Sequence, residues 1–151
     1  MKRILTVVFF IVVLSVVTFI IIKEQTGVPD QNNFGNIAEK ADLIKIASLS
    51  ANQEIKSPIT ITGEARGYWF FEAVLPVIII DKEGNVLGQG VATAQDDWMT
   101  TDFVSFTATV SFNKFKFASD GAKSGAIIFQ KSNQSGLPEN DDALEFPITF
   151  K

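Results

Sequence analysis

Six side chains could take part in binding. They are aromatic, carboxylate, amide or hydroxyl groups. Aromatic rings offer stacking faces to glycans or peptides, and the polar groups exchange hydrogen bonds with such ligands. The same residue types also have ordinary structural roles, because aromatic side chains fill cores and Asp, Asn and Ser stabilise turns. The candidates for an interaction surface are Trp69, Glu72, Asp97, Trp98, Asn133 and Ser135.

Catalytic chemistry has little support in the residue types of this chain. It contains no His and no Cys, which removes the commonest general base and the thiol nucleophile. Ser135 with Lys131 is the remaining nucleophile and base combination, and no oxyanion-binding or orienting group accompanies it. Asn133 and Ser135 also fit the glycosylation triplet, which is short enough to occur often by chance. We therefore expect no enzymatic activity, no catalytic residue and no cofactor.

Acidic residues gather in two predicted loops and raise the question of a calcium site. Oxygen ligands on loops suit Ca²⁺, but the spacing here is not that of an EF-hand loop, and no glycine occupies the required turn position. We expect solvated loop carboxylates and no metal site. The residues concerned are Asp96, Asp97, Asp102, Asp141 and Asp142.

The charge balance argues against nucleic acid as a partner. The whole chain has 13 basic and 17 acidic residues, for a net charge of −4. Setting aside Lys2 and Arg3, which precede an apolar run, leaves 11 basic and 17 acidic residues from Lys23 onward, a net charge of −6. Nucleic-acid binding depends on clustered Lys and Arg. This acidic segment therefore predicts no nucleic-acid partner.

Residues 4–22 form an almost wholly apolar run of Ile, Val, Leu and Phe. A helix of that length spans about 28 Å, close to the ~30 Å hydrocarbon core of a bilayer. The run continues directly into charged residues, without small residues for cleavage, which favours an uncleaved anchor over the alternative of a cleaved signal peptide. Lys2 and Arg3 keep the N-terminus in the cytoplasm, because positive flanks stay inside. We thus expect a single-pass membrane protein with an extracytoplasmic C-terminal domain.

Hydropathy patterns predict the elements that position the candidate residues. Residues 23–42 are polar without a sustained period, which indicates a spacer. Beyond them apolar residues recur at every second position, the period of a β-strand. Eleven of the 14 Phe residues follow Lys23, enough for a core without crosslinks. The predicted strands cover residues 43–49, 58–66, 69–80, 86–94, 103–112, 125–131 and 144–150.

About seven strands predict an all-β fold, an immunoglobulin-like antiparallel β-sandwich preceded by one transmembrane helix. A small barrel has the same periodicity and is the alternative. The strand at 69–80 is apolar on both faces, as expected for a central strand covered on both sides or one that changes sheet. Pro147 cannot donate to a ladder, so its strand should lie at an edge or carry a bulge. The expected domains are 1–22 for the cytoplasmic stub and anchor, 23–42 for the linker and 43–151 for the sandwich.

Several sequence blocks of the sandwich segment form a recognisable combination. They include Ser57-Pro58, Gly63, Ala65-Arg66-Gly67, Trp69-Phe70-Phe71-Glu72, Pro76, Asp97-Trp98-Met99-Thr100, Phe103, Phe106, Lys131, Asn133, Ser135-Gly136-Leu137-Pro138 and Phe146-Pro147. The combination of blocks over residues 43–151 resembles the immunoglobulin-like domain of bacterial spore-germination proteins, the module found beside GerMN domains. The resemblance implies an immunoglobulin-like fold, an extracytoplasmic bacterial setting and no enzymatic activity, and it supplies no ligand.

Together these observations predict a membrane-anchored, extracytoplasmic, non-catalytic module that mediates protein interaction or envelope scaffolding, with a link to spore germination implied by the resemblance. We expect an envelope protein to bind at the sheet edge near Pro147 or at loops 96–102 and 132–142, since exposed edges accept strands and sandwich loops carry function. The alternative is a carbohydrate or peptidoglycan-binding module of the cell envelope. Its stacking faces would be Tyr68, Trp69 and Trp98.

Overall fold

The structure is a computed structural model that describes residues 35–113 and 124–151. The predicted membrane anchor and residues 23–34 of the predicted linker lie outside this part of the chain. Within the described residues, no helix has the length and apolar character needed to cross a membrane. The described residues form an all-β fold that begins with one short helix, α1 (Ile37–Lys40).

Eight strands follow α1 in the described part of the chain, one more than the sequence predicts. The longer strands alternate buried and exposed side chains, because successive residues of a strand point to opposite faces. The strands are β1 (Ile44–Ile46), β2 (Gln53–Ile55), β3 (Ile59–Arg66), β4 (Val74–Asp81), β5 (Val86–Ala94), β6 (Phe103–Val110), β7 (Ser124–Gln130) and β8 (Ala143–Phe150).

The strands are hydrogen-bonded in the order β1-β3-β6-β5-β4-β7-β8-β2. The pairs are antiparallel except β2 with β8, which is parallel. The β1-β3-β6 half joins the other half where residues 92–94 of β5 pair with residues 106–108 of β6. Across the interior, the ring of Phe106 on β6 lies 5.8 Å from that of Phe129 on β7, although these strands are not neighbours in the ladder. The folded sheet is therefore the predicted sandwich.

The core fills the space between the two halves with apolar side chains from every strand. A second ring contact, Phe112 with Phe150 at 5.5 Å, lies towards the end of the sandwich where β8 finishes. Glycine leaves room for these rings: a Cβ on Gly125 would lie 2.7 Å from the Phe150 ring, and one on Gly63 would lie 2.7 Å from the Phe106 ring. The chain has no Cys and therefore no disulfides. Side-chain packing in this core must stabilise the domain instead.

Two predicted strands differ from the observed ones. The strand predicted over residues 43–49 is observed only as β1 (Ile44–Ile46), and β2, which begins at Gln53, was not predicted. The strand predicted over residues 69–80 begins only at Val74, because a 3₁₀ turn, Gly67–Trp69, and a tight hairpin precede β4. The apolar run at 69–80 gave no signal for this turn.

The predictions for Pro147 were wrong in both forms. Strand β8 lies between β7 and β2, so it is not an edge, and its register with β7 runs without a shift past the Ala126–Pro147 pair. The ladder with β2 starts one residue later, and beside Pro147 the backbone N–H of Asn52 donates to the proline carbonyl. Proline has no backbone N–H to donate. It is tolerated here because its nitrogen faces the side of β8 where pairing with β2 has not yet begun. A partner strand therefore has no free edge at this position.

The turn between β4 and β5 is closed by Asp81, whose side chain is fully buried. One carboxylate oxygen accepts hydrogen bonds from the backbone N–H groups of Glu83 (3.0 Å) and Asn85 (2.8 Å), and the other accepts one from the Asn85 side chain (2.9 Å). Burial by itself would raise the pKa of Asp81, but these hydrogen bonds favour the charged form and hold the pKa below its usual value. The Asp81 carboxylate therefore stabilises the turn between β4 and β5.

Candidate functional site

Three loops meet at the end of the sandwich where β3, β5 and β7 finish. The first loop covers residues 67–73, the second residues 95–102 and the third residues 131–142. The six predicted candidates are distributed over them, two to a loop. The fold thus brings together residues that lie more than 60 positions apart in sequence. We call this region the loop end.

The first and second loops are held together by close backbone contact at Gly67. Its N–H donates to the carbonyl of Asp102 at 3.0 Å. A Cβ at Gly67 would lie 2.2 Å from the carbonyl oxygen of Thr100 and 2.3 Å from that of Trp98, so no larger residue fits without a backbone shift. The relative position of these two loops is therefore set by a residue without a side chain.

The first loop ends in a two-residue hairpin turn. Phe71 and Val74 exchange backbone hydrogen bonds at 2.9 and 3.1 Å, and the residues between them, Glu72 and Ala73, have φ values of 50° and 63°. This left-handed pair is typical of a type I′ turn, which usually contains Asn-Gly. Glu72 is exposed at the tip of this turn. Its neighbour Phe71 is also exposed, at 38%.

Trp69 is not a surface residue, which corrects its assignment as a stacking face. Its side chain is fully buried in the core cluster. The 3₁₀ turn directs it inward, and its carbonyl accepts a hydrogen bond from the N–H of Ser132 at 2.9 Å, which ties the first loop to the third. The indole N–H has no hydrogen-bond partner among the described residues. The role of Trp69 is to pack the end of the core beneath the loops.

The first two loops carry several large apolar side chains that are exposed or half-buried. The ring of Trp98, half-buried against the core, meets the ring of Phe71 edge-on with centroids 6.5 Å apart. Tyr68 is 48% exposed and Met99 is 76% exposed. Phe71 and Met99 were missed as candidates, because an aromatic run does not reveal which of its members point outward. We call Tyr68, Phe71, Trp98 and Met99 the aromatic tip.

The third loop uses its two predicted candidates for its own structure. The Asn133 side-chain amide donates to the carbonyl of Leu137 (2.8 Å) and to the carboxylate of Asp141 (2.7 Å). Its carbonyl oxygen accepts from the N–H and the hydroxyl of Ser135. Ser135 in turn accepts from the side-chain amide of Asn140 at 2.9 Å. These polar groups are therefore already engaged in hydrogen bonds within the third loop.

A polar groove of about 670 Å³ lies between α1 and the third loop. Amide groups line much of it, and the ion pair of Lys40 with Asp142 crosses one side at 2.5 Å. Asn36 at its margin is held by bonds to the backbone of Ala143 and Glu145. Such walls offer hydrogen bonds and few apolar contacts. The lining residues are Asn36, Lys40, Pro76, Gln130, Lys131, Ser132, Asn133, Gln134, Asp141, Asp142 and Ala143.

The loop carboxylates serve local structure. In residues 35–113 and 124–151, no three acidic side chains converge on a point that could hold a metal ion. Asp97 accepts the N–H of Met99 at 3.0 Å, which shapes the turn that presents the second half of the aromatic tip. Asp141 is bound to Asn133 and Asp142 to Lys40. These three carboxylates are thus engaged in contacts within the loops or with α1.

A cationic stack beside the second loop was not predicted. The ring of Phe103, at the start of β6, has the Lys45 ammonium 3.9 Å and the Arg66 guanidinium 4.0 Å from its centroid. Arg66 also donates to the carbonyl of Asp42 at 2.9 Å, and Lys45 pairs with Glu64 at 3.1 Å. The three residues meet only because β1, β3 and β6 are adjacent, a relation that the sequence pattern does not contain.

A two-layered, mostly antiparallel β-sandwich is the architecture of an immunoglobulin-like domain. The chain belongs to the family described as the immunoglobulin-like domain of bacterial spore germination, whose model matches residues 43–135. The family predicted from the sequence blocks is therefore confirmed. The match begins just before β1 and ends inside the third loop, so it includes the aromatic tip. Comparison with curated proteins and with solved structures gave no match.

Proposed function

We propose that this protein is a membrane-anchored, extracytoplasmic, non-catalytic module that binds a protein of the cell envelope through the aromatic tip. Membership of the germination family supports a germination-related role. The observation that carries the proposal is the aromatic tip, in which four large apolar side chains share the loop end and three of them, Tyr68, Phe71 and Met99, are exposed.

The aromatic tip has the composition of a binding hot spot. Tyr and Trp dominate measured interface energies because they bury large areas at a small cost in side-chain entropy. The loops that carry the tip are tied in place, since Gly67 packs closely against the second loop and the Phe71 hairpin is closed by two hydrogen bonds. A rigid surface loses little entropy when a partner binds. The sandwich thus presents these side chains in a fixed arrangement.

The setting of the module rests on residues 4–22 and their flanks. A run of this length and apolar character is suited to a bilayer, and Lys2 with Arg3 favours a cytoplasmic N-terminus. We expect a membrane-impermeant maleimide to label Met99→Cys in intact cells, because the chain has no other Cys. Labelling that required permeabilised cells would contradict the orientation.

Binding of cell-wall glycan is the second candidate, and the polar groove is the observation that favours it. Its amide groups suit the hydroxyls of a sugar, but Trp69 is buried and the groove has no aromatic lining residue. Stacking would depend on Tyr68 and Trp98 at the tip. Retention of the full chain by purified peptidoglycan, freed of protein, would favour this candidate over a protein partner.

The proposal is tested with a double variant of the most accessible rings, Tyr68→Ser with Phe71→Ser. We expect co-isolation of a discrete envelope protein with the tagged full chain to fall by roughly 30-fold, the effect of removing about 2 kcal/mol at a hot spot. Trp98→Ala is a poorer choice because Trp98 also packs on the core.

The matched control replaces Thr60 and Thr62, which are exposed on β3 away from the tip, by Ser. Capture should be unchanged in the control, and the melting temperature of both variants should stay near that of the wild type. Equal capture by the double variant and the wild type would overturn the proposed role of the tip.

A further inference from the structure

Carboxylates flank the aromatic tip within its own two loops. Glu72 follows Phe71 at the hairpin turn. Asp96 and Asp97 directly precede Trp98 in the second loop. The three carboxylate side chains are exposed. Negative charge therefore lies beside both rings of the edge-on pair.

The other two members of the tip also have acidic neighbours. The carboxylate of Asp97 accepts the backbone N–H of Met99 at 3.0 Å. The carbonyl of Asp102, whose side chain is exposed, accepts the N–H of Gly67 at 3.0 Å, and Gly67 directly precedes Tyr68. We call the four acidic residues of these loops the tip carboxylates: Glu72, Asp96, Asp97 and Asp102.

No cation of the first two loops offsets the tip carboxylates, because residues 67–73 and 95–102 contain no Lys or Arg. Within the part of the chain that the structure describes, none of the tip carboxylates forms an ion pair. Arg66 directly precedes the first loop, but its guanidinium donates to two backbone carbonyls and lies over the ring of Phe103. A partner of the tip therefore meets exposed negative charges that are still unpaired.

The loop end as a whole concentrates the acidity of the chain. The three loops contain seven acidic residues and one basic residue, Lys131, which gives a net charge of −6. Outside these loops the chain has 12 basic and 10 acidic residues. The negative charge of the chain thus comes from the end that carries the aromatic tip.

We propose that the partner of the aromatic tip presents a basic surface, in which Lys or Arg side chains flank apolar residues. This inference rests on the proposed function, since it specifies the partner of the same site. Complementary charges favour association, and like charges brought face to face cost several kcal/mol. The tip carboxylates therefore select a basic protein segment and disfavour anionic polymers, anionic lipid and the loop end of a second copy of this chain.

Basic side chains also suit the rings of the tip. A cation placed over an aromatic face is attracted to the ring. The chain itself contains this arrangement, because the Lys45 ammonium lies 3.9 Å from the centroid of the Phe103 ring and pairs with Glu64 at 3.1 Å. Trp98 with its neighbour Asp97 offers a Lys or Arg of the partner the same combination of ring and carboxylate.

The first part of the test reads the chemistry of the partner directly. The full chain with benzoylphenylalanine in place of Met99 is irradiated in cells, and mass spectrometry identifies the crosslinked segment. We expect a protein segment in which Lys and Arg outnumber Asp and Glu. An acidic or uncharged segment, or a second copy of this chain, would overturn the basic partner and leave the binding role of the tip intact. The absence of any protein adduct would overturn the proposed function and this inference together.

The second part measures what the charges contribute. The crosslinked segment is synthesised as a peptide, and its affinity for the purified full chain is compared with that for a neutralised variant. Asp97 is kept because it accepts the N–H of Met99. We expect a loss of affinity of roughly tenfold, the combined effect of three exposed charge pairs. The neutralised variant is Glu72→Gln with Asp96→Asn and Asp102→Asn.

The matched control makes the same change in net charge at three exposed carboxylates outside the three loops. It should bind the peptide as the wild type does, and both triple variants should melt near the wild type because all six side chains are exposed. Equal affinity of the two triple variants would overturn the inference. So would wild-type binding that is unchanged between about 0.05 M and about 0.5 M salt, since exposed charge pairs are screened. The control variant is Glu54→Gln with Glu83→Gln and Glu145→Gln.

Discussion

Asp81 shows, at the scale of a single residue, how this fold accommodates a buried charge. A buried carboxylate is costly unless its oxygens accept hydrogen bonds, and Asp81 accepts three from Glu83 and Asn85. The hydrogen bonds to the charged form leave its pKa below the usual value of 3.8. A lowered pKa means that the ionised group stabilises the folded state. That contribution is complete above the unfolded pKa and is lost as the pH falls through the folded pKa.

We expect Asp81→Asn to lower the free energy of unfolding at pH 7 by about 1–3 kcal/mol. The substitution replaces one carboxylate oxygen, which accepts hydrogen bonds, by an amide NH₂ group that would face the N–H donors of Glu83 or Asn85. The variant should also lose part of the decline in stability that the wild type shows below about pH 4. Urea unfolding at pH 7 and at pH 3 measures both effects. Asp96→Asn, at an exposed loop position, is the control and should behave as the wild type. Equal stability of Asp81→Asn and wild type at pH 7 would contradict the stabilising role of the Asp81 carboxylate.

At the scale of elements, the Phe71–Val74 hairpin holds the first half of the aromatic tip in place. Glu72 and Ala73 adopt left-handed backbone angles, which are unfavourable for residues with a Cβ. Glycine removes that penalty. The native sequence is therefore less stable at this turn than it could be.

Ala73→Gly should raise the free energy of unfolding by about 0.5–1 kcal/mol, since the relief of strain exceeds the added entropy of the unfolded chain. Ala41→Gly is the control, because Ala41 has an ordinary φ of −57° at the end of α1. It should be neutral or destabilising. Thermal melting of the two variants provides the measurement, and destabilisation by Ala73→Gly would argue against the type I′ turn.

The strand pattern was predictable where alternation is regular. Strand β3 differs from its predicted bounds by one residue, since one of its faces is apolar and the other polar. Strand β5 has the predicted bounds, because turn residues at 81–85 mark where it begins. The hairpin at Glu72 was not predictable, because neither Glu nor Ala is a residue typical of such turns. The parallel pairing of β2 with β8 joins distant segments and has no local signal. The buried state of Trp69 likewise depends on how three loops pack.

At the scale of the whole molecule, the loop end is the region where exposed apolar side chains gather. Of the seven large hydrophobic side chains that are exposed in the described part of the chain, four lie there: Tyr68, Phe71, Met99 and Leu137. The outward residues of β3 and β6, by contrast, are largely hydroxyls. The proposed anchor at residues 4–22 would leave this loop end available to another envelope component.

The most direct measurement of the proposed function is site-specific photocrosslinking in living cells. Met99, the most exposed member of the aromatic tip, is replaced by benzoylphenylalanine, and the same replacement at Thr60, which is exposed on β3 away from the tip, is the control. We predict a discrete adduct with one envelope protein from position 99, none from position 60, and loss of the adduct when Tyr68→Ser and Phe71→Ser are added. The absence of an adduct at position 99, or the same adduct from position 60, would contradict a binding role for the aromatic tip.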